Sequence, residues 1–309
     1  MKKTFVFGLL AFLLTACGHD PLNTPTGSES AATNSTAQNG KHITIGTANF
    51  PESEIIGQIW AVSLEDAGYD VKVQSGIGSR EVYLKALQEG TVDLVPEYSG
   101  NLAQYYISEA GHEELKAGAD NAEVLAALNK VLPAGLSTGK VAPGESKDSF
   151  RVTREFAEQH KLVSLEDLAN MEGLRLAGNP ELKERPYGPK GLEEVYNIPA
   201  VELVPIADSG GPLTVAALND GAADIADIYT TSPTYGHDLV TLEDPKNLVL
   251  PQHVLPLMRG KSIHGEARDI IGAVTERLTT EELQKLNARN VGDEKAEPRT
   301  IALDFVHSG

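Results

Sequence analysis

The feature that most constrains the fold is a short pattern that occurs twice, as ALQEGTVDLVPEY at residues 86–98 and as ALNDGAADIADIY at residues 217–229. Each copy starts like the end of a helix and reaches a glycine, Gly90 or Gly221, and glycine readily adopts the left-handed conformation that ends a helix. The apolar run that follows is typical of a strand covered on both faces. The pattern therefore predicts two αβ units, each of which ends in a tyrosine.

The two tyrosines, Tyr98 and Tyr229, stand at the carboxyl ends of the predicted strands, where open α/β sheets bind ligands. Two such units, in a chain whose strands and helices alternate, favour two α/β lobes that face a common cleft. We predict that residues 41–147 and 232–309 form the first lobe and that residues 148–231 form the second. The alternative is a chance similarity between two short αβ segments.

The connections between the lobes and the C-terminal region are predicted from composition. Residues 133–147 are rich in glycine and proline, which predicts a hinge or a long loop, and residues 186–191 are predicted to be another loop. Residues 248–250 and 253–258 are predicted to be strands that return to the first lobe. Terminal helices are predicted at residues 267–278 and 280–286.

The N-terminus resembles a bacterial lipoprotein signal peptide. After two lysines, the apolar run at residues 5–14 is too short to span a bilayer as a stable helix, and LTAC at residues 14–17 resembles a lipobox. We therefore predict a signal peptide at residues 1–16 and lipid attachment at Cys17, which would hold the protein outside the cytoplasm on the cell membrane. An ordinary signal peptide near a cysteine is the alternative. Residues 17–40 are predicted to be a flexible tether because they contain almost no large apolar residue.

Charge and motifs exclude several classes of function. The formal net charge is −18, which argues against a nucleic-acid partner. The chain contains no G-x-S-x-G, H-E-x-x-H or Walker motif, and it has a single cysteine. We therefore expect no catalysis, no cofactor and no metal, and we interpret HEE at residues 112–114 as a solvated acidic segment. An extracytoplasmic enzyme is the alternative, and its candidate residues are Asp148, Asp208, Ser209 and Asp227.

The remaining candidate residues suggest a small organic ligand. The face of a tyrosine ring attracts cations, quaternary ammonium above all. Arg185, in a predicted loop, could hold a carboxylate through two hydrogen bonds. A ligand with a methylated ammonium at one end and a carboxylate at the other would suit both. The alternatives are core packing for Tyr98 and a surface ion pair for Arg185.

Several segments together resemble the glycine betaine/choline/carnitine-binding lipoproteins of osmoprotectant ABC transporters. DLVPEYSG at residues 93–100 is similar to the family pattern D-x-x-P-E-Y-T-G and is the most specific of them. The others are residues 46–52, 178–191 and 224–231. The resemblance implies a two-lobed α/β fold of the type II periplasmic-binding-protein kind, with the ligand held between the lobes in a cage of tyrosines.

The resemblance also implies a set of ligand-binding residues. Tyr98 and Tyr229 match two cage tyrosines, Asn101 stands where a threonine is usual, and Arg185 follows the P-E-x-x-x-R pattern of the family. The full predicted set is Asn49, Glu52, Tyr98, Asn101, Asp148, Phe150, Arg185, Tyr229 and Thr230.

Three positions depart from the family pattern. Ala48 replaces a lysine, Asp148 or Phe150 replaces one cage tyrosine, and Val215 replaces another. The remaining tyrosines that could complete the cage are Tyr187, Tyr196 and Tyr235.

The function that the resemblance implies is that of a lipid-anchored, monomeric receptor for a small quaternary-ammonium or zwitterionic solute. It would deliver this solute to the permease of an ABC importer. Its lobes would close around the ligand about hinges near residues 147–148 and 230–232. Besides the enzyme, a ligand sensor without a transport role is an alternative.

Overall fold

The computed structural model describes residues 42–233 and 237–308, so the predicted signal peptide, the tether and Cys17 lie outside the described residues. The described strands are β1 (His42–Gly46), β2 (Asp70–Gln74), β3 (Leu94–Tyr98), β4 (Leu136–Thr138), β5 (Phe150–Thr153), β6 (Arg175–Gly178), β7 (Glu202–Pro205), β8 (Ile225–Asp227), β9 (Leu239–Thr241) and β10 (Val254–Arg259). The described α-helices are α1 (Pro51–Asp66), α2 (Arg80–Glu89), α3 (Ser99–Glu109), α4 (Asn121–Val131), α5 (Arg154–His160), α6 (Pro189–Tyr196), α7 (Pro212–Asn219), α8 (Gly265–Thr275), α9 (Thr280–Val291) and α10 (Pro298–His307).

The first lobe is built on a five-stranded sheet in the order β2-β1-β3-β10-β4. Strands β1, β2 and β3 are parallel, whereas β10 runs antiparallel to β3 and β4. Helix α1 begins at Pro51, whose fixed φ suits the first helical position, and buries Trp60 and four isoleucine and leucine side chains against the sheet and α8–α10. The Trp60 indole N–H donates to Thr275 Oγ1 at 3.0 Å, so its polar atom stays paired in the core.

The second lobe is built on another five-stranded sheet, in the order β7-β6-β8-β5-β9. Strands β6, β7 and β8 are parallel, and β5 is antiparallel to both β8 and β9. Phe150 and Tyr196 are among the large buried side chains of this lobe. Two sheets with helices packed on them confirm the predicted α/β architecture.

The sequence repeat is a structural repeat. Gly90 and Gly221 have φ values of 84° and 71°, as a left-handed turn after a helix requires. Asp93 Oδ2 accepts the backbone N–H of Thr44 at 2.9 Å, and Asp224 Oδ2 accepts the backbone N–H of Arg175 at the same distance. Each aspartate therefore ties its strand to the neighbouring parallel strand, so β3 and β8 are equivalent elements of the two lobes.

Several predicted boundaries were wrong. Leu239–Thr241 pairs with β5 in the second sheet, and Leu248 and Val249 pack in the second core, so the predicted return to the first lobe at residue 232 is too early. Leu250 packs in the first lobe, and residues 248–250 are not a strand. The predicted loop at 133–147 contains the edge strand β4, which is only three residues long and flanked by glycines, so its sequence has no readable period.

Three helices, α5, α6 and α10, were also missed. Helix α6 begins at Pro189, inside the predicted loop at 186–191, because proline also serves as a first helical residue. Helix α10 packs on α1 and completes the first core. Among the described residues, no helix combines the length and apolar composition needed to cross a membrane.

Candidate functional site

A cavity of about 100 Å³ lies between the two sheets, at the carboxyl ends of β3 and β8. Its walls come from both lobes and combine aromatic rings with charged groups. The lining residues are Ala48, Asn49, Phe50, Gly78, Ser79, Arg80, Tyr83, Tyr98, Asn101, Ser146, Asp148, Asn179, Glu181, Leu182, Arg185, Tyr187, Ser209, Asp227 and Tyr229.

Aromatic rings from both lobes meet in this cavity. Phe50, in the loop after β1, contacts the rings of both Tyr98 and Tyr229, with centroid distances of 6.1 Å and 6.0 Å. Tyr83 and Tyr187 also line the cavity, which brings the number of aromatic rings there to five. The tyrosine repeat therefore converges on one site, and Phe50 joins its two halves.

The hydroxyls of the two first-lobe tyrosines that line the cavity are held by buried carboxylates. Tyr98 Oη donates to Glu52 Oε1 at 2.7 Å, and Tyr83 Oη donates to Glu97 Oε1 at 2.8 Å. Burial first, and then the nearby carboxylate, raises the pKa of Tyr98 well above its ordinary value. The rings are therefore fixed, neutral and available to interact through their faces.

Glu52 supports the site from behind. This carboxylate is 4 % exposed and does not line the cavity between the sheets; it lines a second cavity of about 270 Å³ on the other side of Phe50. Besides Tyr98, its donors are Thr231 Oγ1 and Asn287 Nδ2, both 2.6 Å from Oε2. Glu52 thus joins α1, α9 and the segment after Tyr229, which is a supporting position rather than the predicted contact with a ligand.

The two arginines that line the cavity are held differently. Arg80 donates to both oxygens of buried Glu97, at 2.9 Å and 3.2 Å. These two hydrogen bonds fix its guanidinium in a buried ion pair. Arg185 makes one longer contact, 3.4 Å from Nη2 to Glu81 Oε1, which reaches from the second lobe to the first. Of the two guanidinium groups, Arg185 is the one that can turn towards a ligand.

Two carboxyl groups of the second lobe, Asp148 and Asp227, face the same cavity. Asp227 is 4 % exposed, and its Oδ1 has no hydrogen-bond partner among the described residues. Burial first, and then the neighbouring Asp148 carboxyl, raises the pKa of Asp227 well above its ordinary value. Asp148 Oδ2 accepts from Asn101 Nδ2 at 3.3 Å, across the cleft.

The predicted site residues divide into two groups. Six line the cavity: Asn49, Tyr98, Asn101, Asp148, Arg185 and Tyr229. The other three, Glu52, Phe150 and Thr230, do not. Phe150 is 2 % exposed in the core of the second lobe, and Thr230 Oγ1 accepts the Lys147 N–H at 3.0 Å where the chain crosses between lobes.

The structure also shows where the residues that depart from the family pattern lie. Asp148, not Phe150, reaches the cavity, and Val215 packs in the core behind it. Tyr187 lines the cavity, whereas the Tyr196 hydroxyl is bound by Asp244 in the core, and Tyr235 lies outside the described residues.

Sequence reasoning missed Phe50, Arg80 and Tyr83 as cavity residues. Phe50 adjoins the predicted Asn49, so the strand-end rule that found the tyrosines could have found it too. Arg80 and Tyr83 lie three residues apart on the first turn of α2, after a glycine-rich loop, and this spacing places both on one helix face.

Comparison with known proteins agrees with this geometry. Residues 41–308 match the family described as the substrate binding domain of ABC-type glycine betaine transport systems. The carnitine transport binding protein OpuCC of Listeria monocytogenes is 28 % identical over 275 residues, which are 85 % of this chain and 85 % of that protein. The glycine betaine-binding protein YehZ of Escherichia coli K12 is 26 % identical over 290 residues, 89 % of this chain and 93 % of that protein.

A solved structure is also similar. The crystal structure of a glycine betaine/carnitine/choline ABC transporter protein superposes with a TM-score of 0.68 at 23 % identity, covering 86 % of this chain and 98 % of that one. The fold and the cleft define a two-lobed binding protein of the periplasmic type. The chain belongs to the family of substrate-binding domains of ABC-type glycine betaine transport systems.

Proposed function

We propose that this chain is a lipid-anchored extracytoplasmic receptor that captures a small quaternary-ammonium or zwitterionic compatible solute and delivers it to an ABC permease. One observation carries the proposal: five aromatic rings from two lobes line one small cavity, and Phe50 contacts both Tyr98 of its own lobe and Tyr229 of the other. A methylated ammonium cannot donate strong hydrogen bonds and is weakly hydrated. Ring faces in a closed cleft are therefore well suited to hold it.

The names of the relatives support the same ligand class. OpuCC is named for carnitine and YehZ for glycine betaine, and both ligands carry a trimethylammonium group. The ligand contacts that we propose are Asn49, Tyr98, Asn101, Asp148, Arg185 and Tyr229, together with Phe50, Tyr83 and Tyr187.

An enzyme on the same scaffold has less support. Asp208 accepts backbone N–H groups at the start of α7, including that of Leu213 at 2.7 Å, which is the work of a helix cap. Ser209 has no histidine or lysine beside it among the described residues that line the cavity. We therefore propose that the protein binds its ligand without transforming it.

Ligand binding is tested by isothermal titration of the purified protein with choline, carnitine, glycine betaine and tetramethylammonium, with proline and glutamate as amino-acid controls. We expect binding of at least one quaternary ammonium compound and none of glutamate. A thermal-shift screen gives an independent readout, because a ligand of the folded state raises the midpoint by mass action. Binding of amino acids alone would contradict the proposal.

The proposed anchor is Cys17, which ends the lipobox-like LTAC. A Cys17→Ala variant should be released from the membrane fraction or keep its signal peptide, while ligand binding by the folded lobes is unchanged. Mass spectrometry of the N-terminal peptide of the wild-type protein should show a diacylglyceryl cysteine. An unmodified Cys17 inside an intact N-terminus would contradict the anchor.

A further inference from the structure

The adjoining carboxyl groups of Asp148 and Asp227 are an unusual feature of the cavity wall. Asp227 ends β8 and pairs with Phe150 of β5, and Asp148 lies two residues before Phe150, so the backbone pairing brings the two acids together. Both line the cavity, and both are at most 9 % exposed. Among the described residues, neither carboxyl is hydrogen-bonded to an arginine or a lysine.

The cavity has little positive charge to balance these acids. Arg80 is held by Glu97 through two hydrogen bonds, which leaves that pair without net charge. Arg185 is shared with Glu81 at the rim of the cleft. The Arg151 guanidinium lies near enough to Asp227 to offset part of its charge, but it donates to the Tyr229 carbonyl at 2.9 Å and does not line the cavity. A positive charge inside the cavity would therefore meet two carboxyl groups that the described cations balance only in part.

We propose that Asp148 and Asp227 form a cation subsite that makes this receptor prefer ligands with a net positive charge, such as choline, over zwitterions such as glycine betaine. This inference rests on the proposed function and specifies its ligand. Asp227 Oδ1, which has no hydrogen-bond partner among the described residues, is the atom that would interact with a bound cation. A quaternary ammonium can form this ion pair although it has no N–H group to donate. The carboxylate of a zwitterion would bring a third negative charge into the same space.

The subsite also links binding to pH. Three groups face the two acids: Arg151 on β5, the Tyr187 hydroxyl from the second lobe and the Tyr229 hydroxyl after β8. Burial raises the pKa of both tyrosines, so their hydroxyls are neutral. Burial and Asp148 keep Asp227 protonated at pH values where an exposed aspartate is ionised. A bound cation favours the ionised pair, so binding releases a proton and choline affinity rises with pH.

The test is calorimetric titration of choline, tetramethylammonium and glycine betaine into the wild-type protein and into Asp227→Asn, at about pH 5 and about pH 8. Asparagine keeps the shape of the side chain and mimics the protonated carboxyl. Asp220→Asn is the matched control, because Asp220 is exposed at the end of α7, away from the cavity. Titrations in two buffers of different ionisation enthalpy measure the proton released on binding.

For the wild-type protein, we expect choline to bind at least about tenfold more tightly than glycine betaine at the higher pH and to release a proton. Asp227→Asn should weaken choline and tetramethylammonium about tenfold, leave glycine betaine less affected and abolish the proton release. Asp220→Asn should match the wild type. Equal affinities for choline and glycine betaine, or a choline affinity independent of pH, would overturn the cation subsite and leave the proposed function standing. Failure of every quaternary ammonium compound to bind would overturn both.

Discussion

Phe50 of the first lobe meets Tyr229 of the second lobe edge to face, with ring centroids 6.0 Å apart and an interplanar angle of 63°. This contact crosses the cleft, so it exists only while the lobes are together. The same Phe50 ring lies 6.1 Å from Tyr98 on its own side of the cleft. Closure and the assembly of the aromatic wall are therefore one event.

Replacing Phe50 should weaken ligand binding because its ring connects the two tyrosines. We expect Phe50→Leu to reduce the affinity for a quaternary ammonium ligand by about 1 kcal/mol, or roughly fivefold, through the lost ring face and the looser closure. Titration calorimetry checks this. Phe156→Leu is the control, since Phe156 is partly buried in the second lobe beside His160. Equal affinities of Phe50→Leu and wild type would show that the ring contributes nothing to binding.

Arg185 should discriminate ligands by their carboxylate. We expect Arg185→Ala to weaken glycine betaine or carnitine by about 2 kcal/mol, because a charge-assisted hydrogen bond is lost, and to leave choline nearly unchanged. Glu81→Gln provides the opposite change, since it frees Arg185 from its 3.4 Å contact and should favour carboxylated ligands. The comparison of both variants with both ligand types is decisive. A uniform loss for all ligands in Arg185→Ala would assign this arginine to the structure of the cleft.

Glu52 should matter for stability more than for ligand chemistry. Glu52→Ala removes the acceptor shared by Tyr98, Thr231 and Asn287; Thr231 keeps Ser146 and Asn287 keeps the Thr231 carbonyl as partners, but three buried hydrogen bonds are lost, which should lower the free energy of unfolding by about 3 kcal/mol. Glu54→Ala is the matched control, because it loses the same favourable interaction with the N-terminus of α1 but no buried network. Urea denaturation measures both. A loss no larger in Glu52→Ala than in Glu54→Ala would contradict the supporting role.

Asp227 should make stability depend on pH in a defined direction. The pKa of Asp227 is raised in the folded protein, so folding favours the protonated carboxyl. The resulting contribution to the free energy of unfolding is fully present below the ordinary pKa of 3.8 and is lost as pH rises through the pKa of the folded state. Asparagine cannot ionise, so Asp227→Asn should be more stable than the wild type at about pH 8, and this advantage should shrink towards pH 4. Thermal unfolding without ligand, at several pH values, tests this. A variant less stable than the wild type at high pH would show that ionised Asp227 is well accommodated.

The sequence predicted the parts of the fold that local rules determine. The αβ repeat was readable because a left-handed glycine, a strand-tying aspartate and an apolar strand recur in order, with Asp93 and Asp224 as equivalent ties. Strands β4 and β9 were not readable, since three residues at the edge of a sheet are too few to show alternation. Their positions depend on pairing with β10 and β5, which are distant in sequence.

The same limit applies to the site. Tyr98 and Tyr229 could be predicted because they follow strands, whereas the position of Glu52 depends on α9 and on the crossing at Thr231. Asp227 appears in the sequence as an acid within an apolar strand, but its link to Asp148 follows from the antiparallel pairing of β5 with β8. The prediction that Phe150 lines the cavity failed because its side chain packs in the core of the second lobe, whereas Asp148, just before β5, lines the cavity.

The most direct test of the central claim is a calorimetric double-mutant cycle on the two repeated tyrosines, with choline or tetramethylammonium as the ligand. We expect Tyr98→Leu and Tyr229→Leu each to weaken binding by about 1–2 kcal/mol, because leucine keeps apolar area but loses the ring face. Tyr→Phe at each position should retain most of the affinity. The double leucine variant should lose less than the sum of the single losses, since either change already disfavours closure. If both single leucine variants bind as the wild type does, the cleft does not hold its ligand between the two tyrosines.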